Sequence, residues 1–143
     1  MQGAQRVDIK RGSRRVNVLQ LADYIKAKGV RDIIVWLELK VEGKSVSTNF
    51  VTFARPKHLE LRQPEIKSEV NAKKSNTEVT LTAKTPALWT WLELDGADAR
   101  FSDNFFHLPP GKPVTITLSM DKPISYAEIR KKLRVRSLID TYL

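Results

Sequence analysis

The sequence contains no cysteine, and it has only two histidines and six glycines among its 143 residues. Without cysteine the chain has no disulfide, no thiolate metal ligand and no cysteine nucleophile. The histidines, His58 and His107, lack the His-x-x-x-His spacing of a helical metal site. The glycines form neither a phosphate-binding loop nor a Gly-x-Ser-x-Gly nucleophile elbow. The sequence therefore predicts no autonomous active site, no cofactor and no metal.

Long hydrophobic runs are also absent. No segment approaches the roughly 18 consecutive apolar residues of a membrane-spanning helix, so no membrane contact is expected. The basic residues near the N-terminus precede no apolar segment, so they do not resemble a secretory signal. The hydrophobic fraction of 41% is nevertheless sufficient for a packed core.

Positive charge is in excess, with a formal net charge of +9. Such a balance makes a nucleic-acid partner a candidate. The excess lies mainly in the first 67 residues, and a second basic run extends from Arg130 to Arg136. In that run Arg134 and Arg136 alternate with Val135, as they would on the solvent side of a strand. We therefore favour solvated faces over nucleic-acid binding.

The first half of the chain predicts a hairpin. Asp32 to Val41 has one wholly apolar face at strand spacing, which is typical of a strand, and Ser45 to Phe53 follows after the turn residues Glu42-Gly43-Lys44. The residues of that face are Ile33, Val35, Leu37, Leu39 and Val41. Upstream, Arg15 to Leu21 also alternates and predicts a strand. Leu21 to Lys28 has helical spacing and is followed by glycine, which predicts a short helix. Residues 1–14 show no period and are expected to be frayed.

The second half has short strand candidates about ten residues apart, separated by turn-forming residues such as Asp95-Gly96. This spacing is typical of an all-β fold, an antiparallel immunoglobulin-like β-sandwich. A capping box of Ser125 and Glu128 predicts a short helix, and Leu59 to Leu61 a further short strand. The main strand candidates are Ile66–Val70, Glu78–Ala83, Trp89–Leu94, Arg100–Leu108, Val114–Met120 and Leu133–Ile139.

The two halves predict two unequal domains. A sandwich of this type needs about seven strands, and residues 1–57 supply only three. We expect residues 58–143 to be a complete sandwich. Residues 1–57 are expected to be the C-terminal strands of a partial second one, whose earlier strands are missing. The alternative is that the first half packs onto the second domain.

Three tryptophans are candidates for ligand contact. Trp89 and Trp91 share one face of a predicted strand whose other face is also apolar, and Trp36 lies in the hairpin. A strand that is apolar on both faces favours core or interdomain packing. A flat platform for sugar rings is the alternative for these tryptophans.

Three acidic residues, Asp95, Asp98 and Asp103, lie close together in the sequence. Calcium binding or catalysis is conceivable for such a group. Turn chemistry explains them better, because Asp95 precedes a glycine and Asp103 can accept hydrogen bonds from nearby backbone amides in a strand corner.

One motif consists of Phe101-Ser102-Asp103-Asn104-Phe105-Phe106 followed by Leu108-Pro109-Pro110-Gly111. It resembles the corner motif of the final immunoglobulin-like domain of β-mannosidases in glycoside hydrolase family 2. Residues 49–61 are similar to the junction between that family's last two domains, and residues 132–142 to its last strand. The similarity spans roughly residues 16–142, in the expected order. The motif residues, for which the resemblance implies a structural role, are Phe101, Ser102, Asp103, Asn104, Phe105, Phe106, Pro110 and Gly111.

The resemblance implies a function for the parent enzyme rather than for this chain. Members of the family hydrolyse terminal, non-reducing β-D-mannose residues with retention, using two glutamates in a central barrel. A barrel takes about 250 residues, and none of the catalytic motifs maps onto this sequence. We expect a non-catalytic C-terminal region that packs against the remaining barrel and sandwich domains. If the parent is bacterial, a periplasmic or secreted location is implied.

An alternative function belongs to another class, a free-standing carbohydrate-binding module that uses Trp89 and Trp91 to bind mannosides or oligosaccharides.

Overall fold

The computed structural model describes residues 2–8, 11–12, 15, 17–72 and 77–142. The first part contains helix α1 (Ala22–Lys28) and a hairpin of strands β1 (Ile34–Val41) and β2 (Lys44–Thr52). The hairpin is an antiparallel two-stranded sheet in which Trp36 lies opposite Phe50. Its turn residues Glu42 and Gly43 have φ values of 50° and 78°, which suit the right-handed twist of paired strands. The predicted helix and hairpin are confirmed.

The predicted strand from Arg15 to Leu21 is wrong. Residues 15 and 17–21 belong to no strand, and Val16 lies outside the described residues. Val18 and Leu19 are 57% and 45% exposed. An alternating pattern forms a strand only where a neighbouring strand takes up its backbone hydrogen bonds, and none of the described strands does so here.

The second part is a sandwich of two antiparallel sheets, with strand orders β3-β4-β8-β6 and β7-β5-β9. The predicted fold class is confirmed. The strand bounds are β3 Lys67–Ala72, β4 Thr77–Thr82, β5 Ala87–Leu94, β6 Arg100–Phe101, β7 Phe106–Leu108, β8 Val114–Ser119 and β9 Leu133–Arg136.

The core lies between these two sheets. Val79, Leu81 and Ile116 contribute from one sheet, and Leu92 and Leu108 from the other, each at most 2% exposed. On β4 buried and partly buried residues alternate along the whole strand, as expected for a strand with one face in a core. Burial of these side chains supplies the main stabilisation of the sandwich.

Helix α2 (Tyr126–Lys132) closes one end of the core. The predicted capping box is present, since Ser125 Oγ accepts from the backbone N–H of Glu128 and the Glu128 carboxylate accepts from the N–H of Ser125. Ile129 is fully buried and belongs to the core cluster. The cap therefore fixes the start of a helix whose fourth residue, Ile129, packs into the core.

Three predicted strands differ from the structure. Arg100 to Leu108 is not one strand, because residues 102–105 form a corner and the chain passes from one sheet to the other. Leu133 to Ile139 ends as a strand at Arg136 and continues as a 3-10 helix, Leu138–Thr141. Leu59 to Leu61 forms no strand, although Leu59 is buried. It follows a 3-10 turn, Pro56–His58, on the connection between the hairpin and the sandwich.

Candidate functional site

A β-bulge in strand β5 determines the surroundings of Trp89 and His107. Ala87 pairs with Leu108 and Thr90 with Phe106, so two residues of β5, Leu88 and Trp89, lie opposite the single residue between those partners. Trp89 has a φ of 47°, in the left-handed region that bulky residues rarely occupy. The bulge bends the strand and displaces the Trp89 amide from the regular ladder.

His107 accepts the displaced amide hydrogen. The backbone N–H of Trp89 donates to His107 Nδ1 at 3.0 Å. This contact requires a lone pair on Nδ1, so the neutral ring carries its proton on Nε2. Burial lowers the pKa of His107 below its usual 6.5, because the charged ring would lose hydration. His107 is therefore neutral at pH 7 and replaces a backbone carbonyl in the bulge.

Four aromatic rings meet where the hairpin contacts the sandwich. We call the group formed by Trp36, Phe50, Trp89 and His107 the aromatic junction. The Phe50 ring centroid lies 4.1 Å from that of His107, 5.8 Å from that of Trp89 and 5.6 Å from that of Trp36. The His107 ring lies 5.1 Å from Trp89 and 6.4 Å from Trp36. These tilted and edge-to-face geometries are favourable for aromatic pairs.

Two polar contacts also involve the hairpin or its connection to the sandwich. Lys112 Nζ lies 2.9 Å from Glu38 Oε2, which joins the sandwich to β1. This hydrogen bond with Lys112 is the main cause that lowers the pKa of Glu38. The Tyr142 hydroxyl donates to the carbonyl oxygen of Pro56, on the connection between the two parts. Exposed ion pairs contribute little free energy, so the rings carry most of the attachment.

Trp91 lies in a different environment from Trp89. Its ring stacks on Phe105 with a centroid distance of 5.9 Å and an interplanar angle of 21°. Phe105 is 61% exposed and has a φ of 62°. The structure thus brings Trp36 and Trp89 into one cluster, whereas Trp91 forms a more exposed pair with a residue of the predicted corner motif.

The corner motif consists of side chains that satisfy backbone groups. Asn104 Oδ1 accepts from the N–H of Leu92 at 2.7 Å, and its Nδ2 donates to the carbonyl of Leu92 at 3.0 Å. Ser102 Oγ accepts from the N–H of Thr117 at 2.9 Å. Asp103 Oδ1 accepts from the N–H of Asn104, the backbone contact that the sequence suggested for it. Asn104 and Ser102 therefore fix the corner to β5 and β8, whereas the contact of Asp103 is local.

The remaining motif residues either pack against the core or form a turn. Phe101 and Phe106 pack against the core cluster. Pro110 forms a bridge with Ala83, and the N–H of Gly111 donates to the carbonyl of Ala83 at 2.8 Å. Gly111 has a φ of 70°, which glycine adopts without strain.

The acidic candidates Asp95 and Asp103 take part in separate contacts. Asp95 pairs with Arg134 at 3.5 Å, and Glu93 with Arg136 at 3.4 Å, so two arginines of the basic run have acidic neighbours. Across residues 2–8, 11–12, 15, 17–72 and 77–142, no three His, Asp or Glu side chains are grouped so as to hold a metal ion. Nor does any helix in those ranges have the length and apolar character needed to cross a membrane.

Sequence reasoning missed the role of His107. It considered this residue only as a metal ligand, whereas the structure places it inside the aromatic junction as a hydrogen-bond acceptor. The bulge that creates this role depends on the pairing of two strands 18 residues apart. Such a pairing leaves no local pattern in the sequence.

Comparison with known proteins agrees with this fold. A family model of the mannosidase Ig-fold domain matches residues 61–141. A crystal structure of β-D-mannosidase from Dictyoglomus thermophilum is similar to 73% of this chain, with a TM-score of 0.61 and 24% identity. The match covers 13% of that enzyme, so the chain spans a small part of its length. No curated protein matches the chain. Since the family model covers more than half of its residues, the chain belongs to the family of mannosidase Ig-fold domains.

Proposed function

We propose that the chain is a non-catalytic C-terminal region of a β-mannosidase-like enzyme of glycoside hydrolase family 2, with a role in scaffolding and interdomain packing. The parent enzyme would remove terminal, non-reducing β-D-mannose residues. The observation that carries this proposal is the aromatic junction. There the rings of the hairpin residues Trp36 and Phe50 contact those of Trp89 and His107 in the sandwich. Family membership and the likeness to one region of a long β-mannosidase support it.

The placement of the acidic side chains supports a non-catalytic role. Retaining glycosidases need two carboxyl groups about 5 Å apart on either side of the scissile bond. Several described carboxylates instead lie at the surface in ion pairs with lysine or arginine, among them Glu65 with Lys84 and Asp121 with Arg100. A carboxylate held by a neighbouring cation is not free to act as the acid or the nucleophile of such a pair.

This role predicts that the chain alone has no glycosidase activity. Purified chain incubated with p-nitrophenyl β-D-mannoside should release no nitrophenolate above the uncatalysed rate, because the proposed role leaves the acid and the nucleophile to the barrel of the parent enzyme. An active β-mannosidase assayed in parallel serves as the positive control. Saturable hydrolysis that copurifies with the chain would contradict the proposal.

We also propose that residues 1–57 complete a second immunoglobulin-like domain whose other strands belong to the parent enzyme. One face of the hairpin contacts the sandwich through Trp36 and Phe50. The outer face carries Leu37, Leu39 and Val41, which are 45%, 51% and 53% exposed. Three neighbouring apolar side chains at the surface of one sheet are typical of a face that another layer covers.

The exposed outer face of the hairpin can be tested by replacing its leucines with lysine. Replacing both Leu37 and Leu39 by lysine should reduce binding of a hydrophobic dye such as ANS severalfold, because the lysines remove the apolar surface. The free energy of unfolding should change by no more than about 0.5 kcal/mol for each substitution, as is usual at exposed positions. Ser47→Lys, which adds charge opposite Leu39 without removing an apolar side chain, is the matched control. Unfolding of the double variant would show that the face is already buried in the isolated chain.

The alternative, a carbohydrate-binding module, has one specific observation in its favour. Trp91 and Phe105 form a stacked and partly exposed aromatic pair, and sugar rings pack well on such surfaces. Trp89 is less suited to this role, because Phe50 and His107 lie against its ring.

A further inference from the structure

The aromatic junction contains one titratable ring, and we propose that His107 makes the docking of the β1–β2 hairpin on the sandwich dependent on pH. Neutral His107 holds the hairpin in place, and protonation of the ring releases it as the pH falls below neutrality. The proposal concerns a conformational change of this chain and does not depend on the function proposed above.

The geometry of the Trp89–His107 hydrogen bond gives the first reason. His107 Nδ1 accepts the backbone N–H of Trp89 at 3.0 Å. A proton on Nδ1 would place two donors against each other, so the imidazolium cannot make this contact. The Trp89 amide would then lose the acceptor that the bulge provides for it. Trp89, at a φ of 47°, would keep a strained backbone conformation without that support.

The location of His107 couples this local change to the hairpin. Its ring lies 4.1 Å from Phe50 of β2 and 6.4 Å from Trp36 of β1, measured between centroids. A two-stranded hairpin is only marginally stable alone, so it depends on its contact with the sandwich. A charged ring in this contact must recover water, which requires that the hairpin move away from it. Cation–π attraction to Phe50 opposes this release but does not restore the hydrogen bond.

Charged groups on the elements around the aromatic junction take part in ion pairs. Glu38, two residues after Trp36 on β1, pairs with Lys112 of the sandwich and with Lys40. These contacts lower the pKa of Glu38 from 4.5, so its ion pair persists well below pH 6. On β2 the residues two positions before and after Phe50 are threonines. On β5 the next acidic residue after Trp89 is Glu93, which pairs with Arg136.

Proton binding to His107 determines the direction in which pH changes hairpin docking. Burial lowers the pKa of His107 in the docked chain below the 6.5 of an exposed histidine. Between these two values the released state binds the proton and the docked state does not, so docking weakens as the pH falls. Above pH 6.5 both states are neutral and docking is constant. Below the pKa of the docked state both are protonated, and the loss reaches its limit.

An NMR titration of the intact chain tests the proposal directly. The ring protons of His107 and of the exposed His58 are followed between pH 8 and 5, with hydrogen exchange of the β1–β2 amides in the same samples. We expect the midpoint of His107 to lie below 6.5. The protection of hairpin amides, relative to that of β4 amides, should fall by about tenfold for each pH unit between 6.5 and that midpoint. A His107 midpoint at or above 6.5, or hairpin protection that follows β4 at every pH, would overturn the proposal.

A pair of variants separates His107 from general acid effects. In His107→Asn the side-chain oxygen can still accept from the Trp89 amide and does not titrate in this range. Hairpin protection in this variant should be independent of pH between 8 and 5, even if it is lower throughout because a ring is lost. His58→Asn should behave like the unmodified chain. A pH response retained in His107→Asn would overturn the proposal.

Discussion

Asn104→Ala is expected to lower the free energy of unfolding of the chain by about 2–4 kcal/mol. Asn104 donates to and accepts from the backbone of Leu92, whose side chain is only 2% exposed. Alanine would leave the N–H and the carbonyl of Leu92 without these partners, and each unsatisfied buried group costs about 1–3 kcal/mol. Chemical denaturation followed by circular dichroism measures the change at an unchanged m-value.

Two matched variants make this measurement specific to the corner. Asp103→Ala removes an exposed hydrogen bond to the adjacent amide and should cost about 1 kcal/mol or less. Asn104→Asp keeps an acceptor for the Leu92 N–H but places a carboxylate oxygen against the Leu92 carbonyl, so it should cost more than Asp103→Ala. If Asn104→Ala is no more destabilising than Asp103→Ala, the role assigned to Asn104 is wrong.

Trp89→Ala should lower the free energy of unfolding by about 2–3 kcal/mol and release the hairpin from the sandwich. Truncation of a fully buried tryptophan costs roughly 3–5 kcal/mol, and Trp89 is only partly buried. Trp91→Ala is the natural comparison, because Trp91 lies two residues away on the same strand. Its loss removes mainly a stacked pair, worth about 1 kcal/mol, and should leave hairpin amides protected. Equal protection of the hairpin in both variants would contradict the assignment of Trp89 to the aromatic junction.

The same two variants distinguish scaffold from sugar-binding module. Titration with manno-oligosaccharides should leave the tryptophan fluorescence of the unmodified chain unchanged if the chain is a scaffold. Saturable quenching that disappears in Trp91→Ala would instead support a carbohydrate-binding surface at Trp91 and Phe105.

Local patterns predicted the elements whose interactions are local. The hairpin was evident from alternation on both sides of Glu42-Gly43, because turn and strands are adjacent in sequence. The capping box fixed the start of α2 for the same reason. Strand β8 alternates between buried and more exposed residues, as its sequence indicates. In each case the sequence neighbours of a residue are also its partners in space.

The features that sequence could not predict arise from partners far along the chain. Arg15 to Leu21 alternates like a strand, but no described strand lies beside it. Arg100 to Leu108 has apolar residues on both sides of the polar residues 102–104, and the contact of Asn104 with Leu92 shows that the strand breaks there. The environment of His107 requires the hairpin, the bulge and β7 together. The candidate site was therefore predicted only in part, through Trp36 and Trp89.

The connection between β6 and β7 has a mechanical consequence. Ser102 exchanges two hydrogen bonds with Thr117 in one layer, and Asn104 exchanges two with Leu92 in the other. Sliding of one layer over the other would have to break all four contacts within a span of three residues. Shear between packed layers is a common way for proteins to absorb displacement, and this link opposes it. The two layers of the sandwich are therefore expected to move together.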